Sequence, residues 1–158
     1  MALEAGQPAP EFDLPAAGGG RVRLADFRGK PLVLYFYPKD DTPGCTKEAQ
    51  GFAESYPEFQ AAGIEVVGVS KDDTASHERF KAKYGLPFRL ASDASGATVE
   101  AYGAWVEKSM YGKKYMGIDR ATVLIDRDGK VQKVWRKVKV PGHVAEVLEA
   151  ARAFALSA

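Results

Sequence analysis

The chain has 158 residues, 46% of them hydrophobic, and its 22 lysines and arginines nearly balance 21 aspartates and glutamates, for a net charge of +1. That length suits one domain of ordinary size over residues 1–158, with a core that needs no staples. The balance excludes a strongly basic surface, so neither nucleic acid nor a membrane surface is expected as a partner. One cysteine, Cys45, excludes an internal disulfide and any cysteine-based zinc site. The opening Met-Ala-Leu-Glu-Ala-Gly has no basic segment followed by an apolar one, unlike a secretory leader. Apolar runs stay well short of the ~18 residues of a membrane span, so the expected location is cytoplasmic.

In chain order, Glu11–Leu14 and Arg21–Leu24 flank Gly18-Gly19-Gly20, which predicts an N-terminal hairpin. Neither a Lys-Ser/Thr pair nor a long helix follows those glycines, so they do not read as a phosphate loop. Pro31–Tyr37 is a continuous apolar and aromatic run, and the valine-rich Ile64–Ser70 reads the same way; both predict strands buried on two faces. Between them, Ala49, Phe52, Ala53 and Tyr56 recur at helical spacing over Thr46–Gln60. Strand, helix, strand of this length predicts parallel strands. Thr74–Tyr84, stopped by Gly85, predicts a second helix, and Phe88–Leu90 a short strand. Asp93 is a candidate cap for a helix reaching about Tyr102. Ala121–Asp126 and Val131–Lys137, joined through Asp128-Gly129, predict a hairpin. Gly142–Ala155 closes the chain as a helix with Val144, Val147, Leu148 and Ala151 on one face. Helices alternating with strands, plus a late antiparallel hairpin, predict an α/β fold with a mixed sheet.

Cys45 follows Pro43-Gly44 where the first long strand gives way to a helix expected to begin near Cys45 or Thr46. That is the carboxyl edge of the sheet, where open α/β sheets hold ligands. The helix start offers unpaired N–H groups and the positive end of a dipole, and both favour thiolate over thiol. Position alone also allows a plainer role, a small buried hydrophobe.

The neighbours favour chemistry. Pro38-x-x-x-Thr42-x-x-Cys45 resembles the active-site signature of peroxiredoxins, and "FYPKDDTPGCTKEA" is similar to the bacterioferritin comigratory, or Q-type, branch. The likeness covers nearly the whole chain: its opening through Pro38, "VVGVSKDD", "LPFRLASD", "YGKKYMGIDRATVLIDRDGK" and "VWRKVKVPGH" look like successive blocks of that branch. The resemblance implies a thioredoxin-like fold and a thiol peroxidase. Cys45 would attack the peroxide, the Thr42 hydroxyl would donate to it, and Arg120 would hold the thiolate. Glu48 would orient Arg120, or else simply be an acidic residue favoured in a first helical turn. Pro38 would shape the pocket, the backbone at Gly44 and Cys45 would bind the peroxide, and Phe36 and Trp105 would line it, with Ser70 and Asp93 at its border.

The resemblance also implies where a second, resolving cysteine would stand. Position 50 is Gln50, and the region of Phe80 and Lys81 offers none. A 1-Cys enzyme is therefore expected, reduced by an outside thiol such as glutathione, glutaredoxin or thioredoxin, in a monomer or weak dimer. A dithiol oxidoreductase would want a cysteine at Glu48 and a proline at Ala121. A binding module on the same scaffold would use Lys113-Lys114 or Arg136-Lys137-Lys139, which read more simply as solvated charge. His77 and His143 have no cysteine partners and read as structural or surface residues, so no metal or organic cofactor is implied.

Overall fold

The computed structural model describes residues 3–157. An N-terminal antiparallel hairpin pairs β1 (Asp13–Pro15) with β2 (Arg21–Arg23), and a 3-10 turn over Leu24–Phe27 leads inward. Then follow β3 (Leu32–Phe36), α1 (Pro43–Ala61), β4 (Glu65–Ser70), α2 (Thr74–Tyr84), β5 (Arg89–Ser92) and the short α3 (Ala97–Ala101). The chain continues through β6 (Trp105–Met110), β7 (Lys113–Ile118), β8 (Ala121–Ile125), β9 (Val131–Trp135) and α4 (His143–Ser157).

The central sheet has the order β5-β4-β3-β8-β9. Its β5-β4-β3 half is parallel and its β3-β8-β9 half antiparallel. This is the thioredoxin-like α/β arrangement, with β3 and β8 adjacent at the centre. All five residues of β3 and of β8 are buried, as expected of strands covered on both faces.

Side-chain alternation along β3 splits the core in two. Val33, Tyr35 and Tyr37 face Cys45, Phe52 and Phe59 of α1 together with Val147 and Ala151 of α4. Leu32, Leu34 and Phe36 face the N-terminal hairpin, Val99, Tyr102 and Ala104. Tyr35 stacks on Phe52 with centroids 4.6 Å apart, which fixes α1 against the sheet. Gly68 of β4 permits this: a Cβ there would stand 2.8 Å from the Tyr35 hydroxyl.

Several boundaries differ from expectation. Helix α1 begins at Pro43, because proline needs no N–H partner in a first turn and has its φ preset. Strand β5 starts one residue after Phe88, at Arg89. Asp93 accepts the Val99 N–H at 2.8 Å, yet Gly96 holds the N-cap position and α3 stops at Ala101. The β8–β9 turn is organised by Asp126, whose Oδ1 accepts the N–H groups of Asp128 and Lys130 at 2.9 Å, with Gly129 at φ 80°. The β6–β7 hairpin was not expected at all. It stands apart from the central sheet and carries exposed Met110, Tyr111, Tyr115 and Met116. Among the described residues no helix is long and apolar enough to cross a membrane.

Candidate active site

Strand β3 delivers the chain to the carboxyl edge of the sheet, and residues 37–41 cross that edge to the start of α1. Thr42 takes an extended conformation at the N-cap, Pro43 opens the helix, and Cys45 falls inside its first turn. Cys45 is 2% exposed. The N–H groups of Gly44 and Cys45 belong to the first turn, where a helix provides no carbonyl four residues back.

Arg120 stands between β7 and β8, and the β3–β8 pairing brings it to Cys45. Register places Phe36 opposite Ala121, so the residue just before Ala121 lies beside the end of β3. Its Nη2 donates to Cys45 Sγ at 3.2 Å and its Nη1 to Glu48 Oε1 at 2.6 Å. The planar fork of a guanidinium can serve two acceptors in this way, whereas an ammonium is a point charge. Gly44 leaves room for the fork, since a Cβ at that position would lie 3.2 Å from Nη2. The backbone carbonyl of Arg120 is itself tied down by the Val138 N–H at 3.0 Å.

Glu48 points into the core, one turn beyond Cys45, and is fully buried. Its Oε2 has no hydrogen-bond partner among the described residues. Burial pushes its pKa up to about 7, against the lowering effect of Arg120. The Arg120 pKa is raised: burial would lower it, but Glu48 and Cys45 together outweigh that. Both partners describe one situation, a guanidinium held cationic by two acceptors of which one is poorly solvated. Burial, then Glu48, then Cys45, also raise the pKa of Tyr35, whose buried hydroxyl has no hydrogen-bond partner among the described residues.

The remaining expected residues are placed unevenly. The Thr42 hydroxyl donates to the Lys39 carbonyl at 2.9 Å, so its proton is committed and its lone pairs remain to accept. Pro38 is exposed at the turn out of β3. Phe36 is fully buried in the core layer on the other side of the sheet, and half-buried Trp105 packs against that same layer with Lys71 Nζ 4.5 Å from its ring centroid. Neither belongs to the core layer that holds Cys45. The alternation of β3 carried that signal: with Tyr35 and Tyr37 facing α1, Phe36 faces away. Ser70 and Asp93 are engaged elsewhere: Ser70 donates to Asp72 at 2.7 Å and Asp93 accepts from Val99.

Two features escaped the sequence reading. Both histidines are buried, which corrects the surface alternative: His77 pairs with Asp40, and His143 Nε2 lies 2.8 Å from Thr122 Oγ1. Burial lowers the His143 pKa, so it is neutral at neutral pH, with Glu146 opposing and Arg120 reinforcing the shift. The loop before Cys45 is also fastened to α2 twice, through Asp40 and through Asp41. Asp41 sits at φ 57° and accepts from Lys83 Nζ at 2.8 Å and the Tyr84 hydroxyl at 2.7 Å.

A lone cysteine at a helix start, bonded by an arginine that directly precedes the neighbouring antiparallel strand of a thioredoxin-like sheet, is the arrangement of a peroxiredoxin. The chain belongs to the AhpC/TSA family, whose model matches residues 5–134, and within it to the Bcp, or peroxiredoxin Q, branch. It is 48% identical over 149 residues to peroxiredoxin Bcp of Bacillus subtilis, covering 94% of this chain and 95% of the relative. The Escherichia coli peroxiredoxin Bcp is 44% identical over 146 residues, covering 92% and 94%. A solved structure of the Xanthomonas campestris bacterioferritin comigratory protein, described for its alkyl peroxide reduction activity, superposes with a TM-score of 0.91 at 44% identity. It covers 96% of this chain and 99% of its own. The protein is accordingly a thiol-dependent peroxidase.

Proposed function

We propose that the chain acts as one domain that reduces hydrogen peroxide and organic hydroperoxides at Cys45 by a 1-Cys route. The observation that carries this is the Arg120 fork, 3.2 Å from the sulfur and anchored on Glu48. A guanidinium at that distance stabilises negative charge on sulfur, and it is preorganised for charge that develops as the O–O bond breaks. The thiolate attacks the nearer peroxide oxygen, an S–O bond forms, and hydroxide or alkoxide leaves and takes up a proton. Cys45 is left as a sulfenic acid. Thr42, its own proton given to Lys39, accepts the peroxide O–H. Organic hydroperoxides belong in the substrate class because a relative of 44% identity is described for its alkyl peroxide reduction activity.

With no second cysteine in the chain, an external thiol completes the cycle. It attacks the sulfenic sulfur with loss of water, and a second thiol frees Cys45 from the mixed disulfide. Glutathione, glutaredoxin and thioredoxin are the candidate donors in the proposed cytoplasmic setting. Cys45 is only 2% exposed, so the first turn of α1 must loosen before such a thiol reaches its sulfur. The same burial disfavours a disulfide between two Cys45 residues, and the proposed state is a monomer or weak dimer. Steady-state peroxide consumption with each donor in a separate reaction tests the reading. Turnover with at least one donor, lost in Cys45→Ser, is expected; turnover surviving in that variant overturns it.

A further inference from the structure

The loop that carries Pro38 and Thr42 to Cys45 contains a buried charged group that the peroxidase chemistry does not use. Asp40 is 7% exposed and lies in a stretch of exposed residues. Its Oδ1 accepts the Tyr37 hydroxyl at 2.5 Å; its Oδ2 accepts the Ser76 hydroxyl at 2.8 Å and lies 2.7 Å from His77 Nδ1. Its backbone N–H donates to Asp72 Oδ2 at 2.9 Å, an oxygen that also accepts from Ser70. Burial would raise the Asp40 pKa, but its hydrogen bonds to His77, Tyr37 and Ser76 outweigh it and leave it below the ordinary carboxylate value, so the group is ionised.

His77 is fully buried on α2. Its Nδ1 meets the Asp40 carboxylate, with the Tyr37 oxygen 3.4 Å away, and its Nε2 lies 2.9 Å from the carbonyl of Ala91 in β5. A carbonyl oxygen only accepts, and so does an ionised carboxylate. An imidazole donates from both nitrogens only when both carry protons. Since the Tyr37 hydroxyl gives its proton to Asp40, it offers His77 no competing donor.

We propose that His77, held as an imidazolium between Asp40 and Ala91, is a positioning residue of the peroxidase site. It ties the Pro38–Thr42 loop to α2 and β5 by a buried charge pair. One carboxylate oxygen each of Asp40 and Asp72 and a ring nitrogen of His77 also sit within 4.8 Å of one another, the spacing of a metal site. Their lone pairs and protons are already matched among Tyr37, Ser70, Ser76 and the Asp40 amide, which favours an internal clamp. Thr42 and the first turn of α1 inherit their placement from this clamp. A misplacement of about an ångström at a reacting centre is enough to slow chemistry ~10²-fold.

The proposal rests on the peroxidase reading, and two measurements separate the two. Long-range nitrogen–proton NMR on the wild-type protein at neutral pH reads the His77 ring directly, whatever the activity. Directly bonded protons on both nitrogens are expected; one bare nitrogen overturns the charge pair. The second measurement uses Asp40→Asn/His77→Gln, which removes both charges while retaining polar groups of similar size. Its rate constant for Cys45 oxidation is expected to fall about tenfold or more, with faster amide exchange over residues 38–48 and native dichroism. A folded double variant oxidised at the wild-type rate, with unchanged exchange in that loop, overturns the positioning role. Should the variant not fold, the NMR result on the wild-type protein decides. An inactive wild-type protein would sink the peroxidase reading, while the ring protonation and loop exchange would still be measured.

Discussion

Arg120 and Cys45 are 75 residues apart in the chain, yet a guanidinium N–H of one lies 3.2 Å from the sulfur of the other. The β3–β8 pairing makes this contact, and the second arm of the same guanidinium is fixed on Glu48. Fold and chemistry meet at that fork.

Replacing the fork should therefore separate charge from geometry. Arg120→Lys keeps a cation but cannot hold sulfur and carboxylate together. Stopped-flow oxidation of Cys45 is expected to slow by about 10²–10³ in Arg120→Ala, the scale of losing a preorganised transition-state donor, and by a large part of that in Arg120→Lys. Equal rates in Arg120→Lys and wild type would show that charge alone suffices.

Glu48 should make stability depend on pH. Its folded pKa of about 7 exceeds the ordinary 4.5, so between those values the folded state binds more protons than the unfolded state. This contribution is complete below about 4.5 and is lost as the pH rises through about 7. The loss amounts to about 3 kcal/mol at most. Denaturant unfolding across this range is expected to show wild type weakening relative to Glu48→Gln as pH rises. Parallel pH profiles for the two would mean that Glu48 is ionised throughout. Glu48→Gln can still accept from Arg120 and should retain most activity, whereas Glu48→Leu should not.

Gly44→Ala offers a subtler probe. Its new Cβ, 3.2 Å from Arg120 Nη2, pushes the fork by a few tenths of an ångström without disturbing a helical backbone. Peroxide reaction is expected to slow about tenfold, while thermal stability holds or rises, because alanine favours helix. Unchanged kinetics would show that the fork tolerates displacement.

Thr42 is expected to act as an acceptor, since its hydroxyl already donates to the Lys39 carbonyl. Thr42→Val keeps the shape and removes both functions of the oxygen. Its peroxide rate should drop about 10–100-fold, the worth of one hydrogen bond to a reacting polar group. Thr42→Ser should remain within a few-fold, and rapid-mixing kinetics on the pair would reveal any simple steric role.

Much of this architecture was legible from the residues. Leu32–Phe36 and Val66–Val69 are buried on both faces, and the absence of polar residues within them says so. Gly85, at φ 61°, ends α2 where a left-handed cap is required. Local signals for the start of α1 were present too, in Pro43 at the first helical position. The β6–β7 hairpin was illegible because both of its faces meet solvent, so neither a buried run nor a period of two marks it. For the site, Thr42, Cys45 and Glu48 share one helix start and their grouping can be read locally. Arg120 came from family likeness, and only sheet register explains its arrival. Asp40 and His77 lie 37 residues apart on separate elements; nothing in either neighbourhood announces the partner.

The central claim is that the Cys45 sulfur, held by Arg120, is the atom that peroxide oxidises. Intact-mass and peptide mass spectrometry after one equivalent of peroxide, without reductant and with a sulfenic-acid trap, tests it most directly. The account predicts a single trapped adduct on Cys45, formed far faster in wild type than in Arg120→Ala. An unmodified Cys45 with peroxide consumed elsewhere, or equal trapping rates in the two proteins, would contradict it.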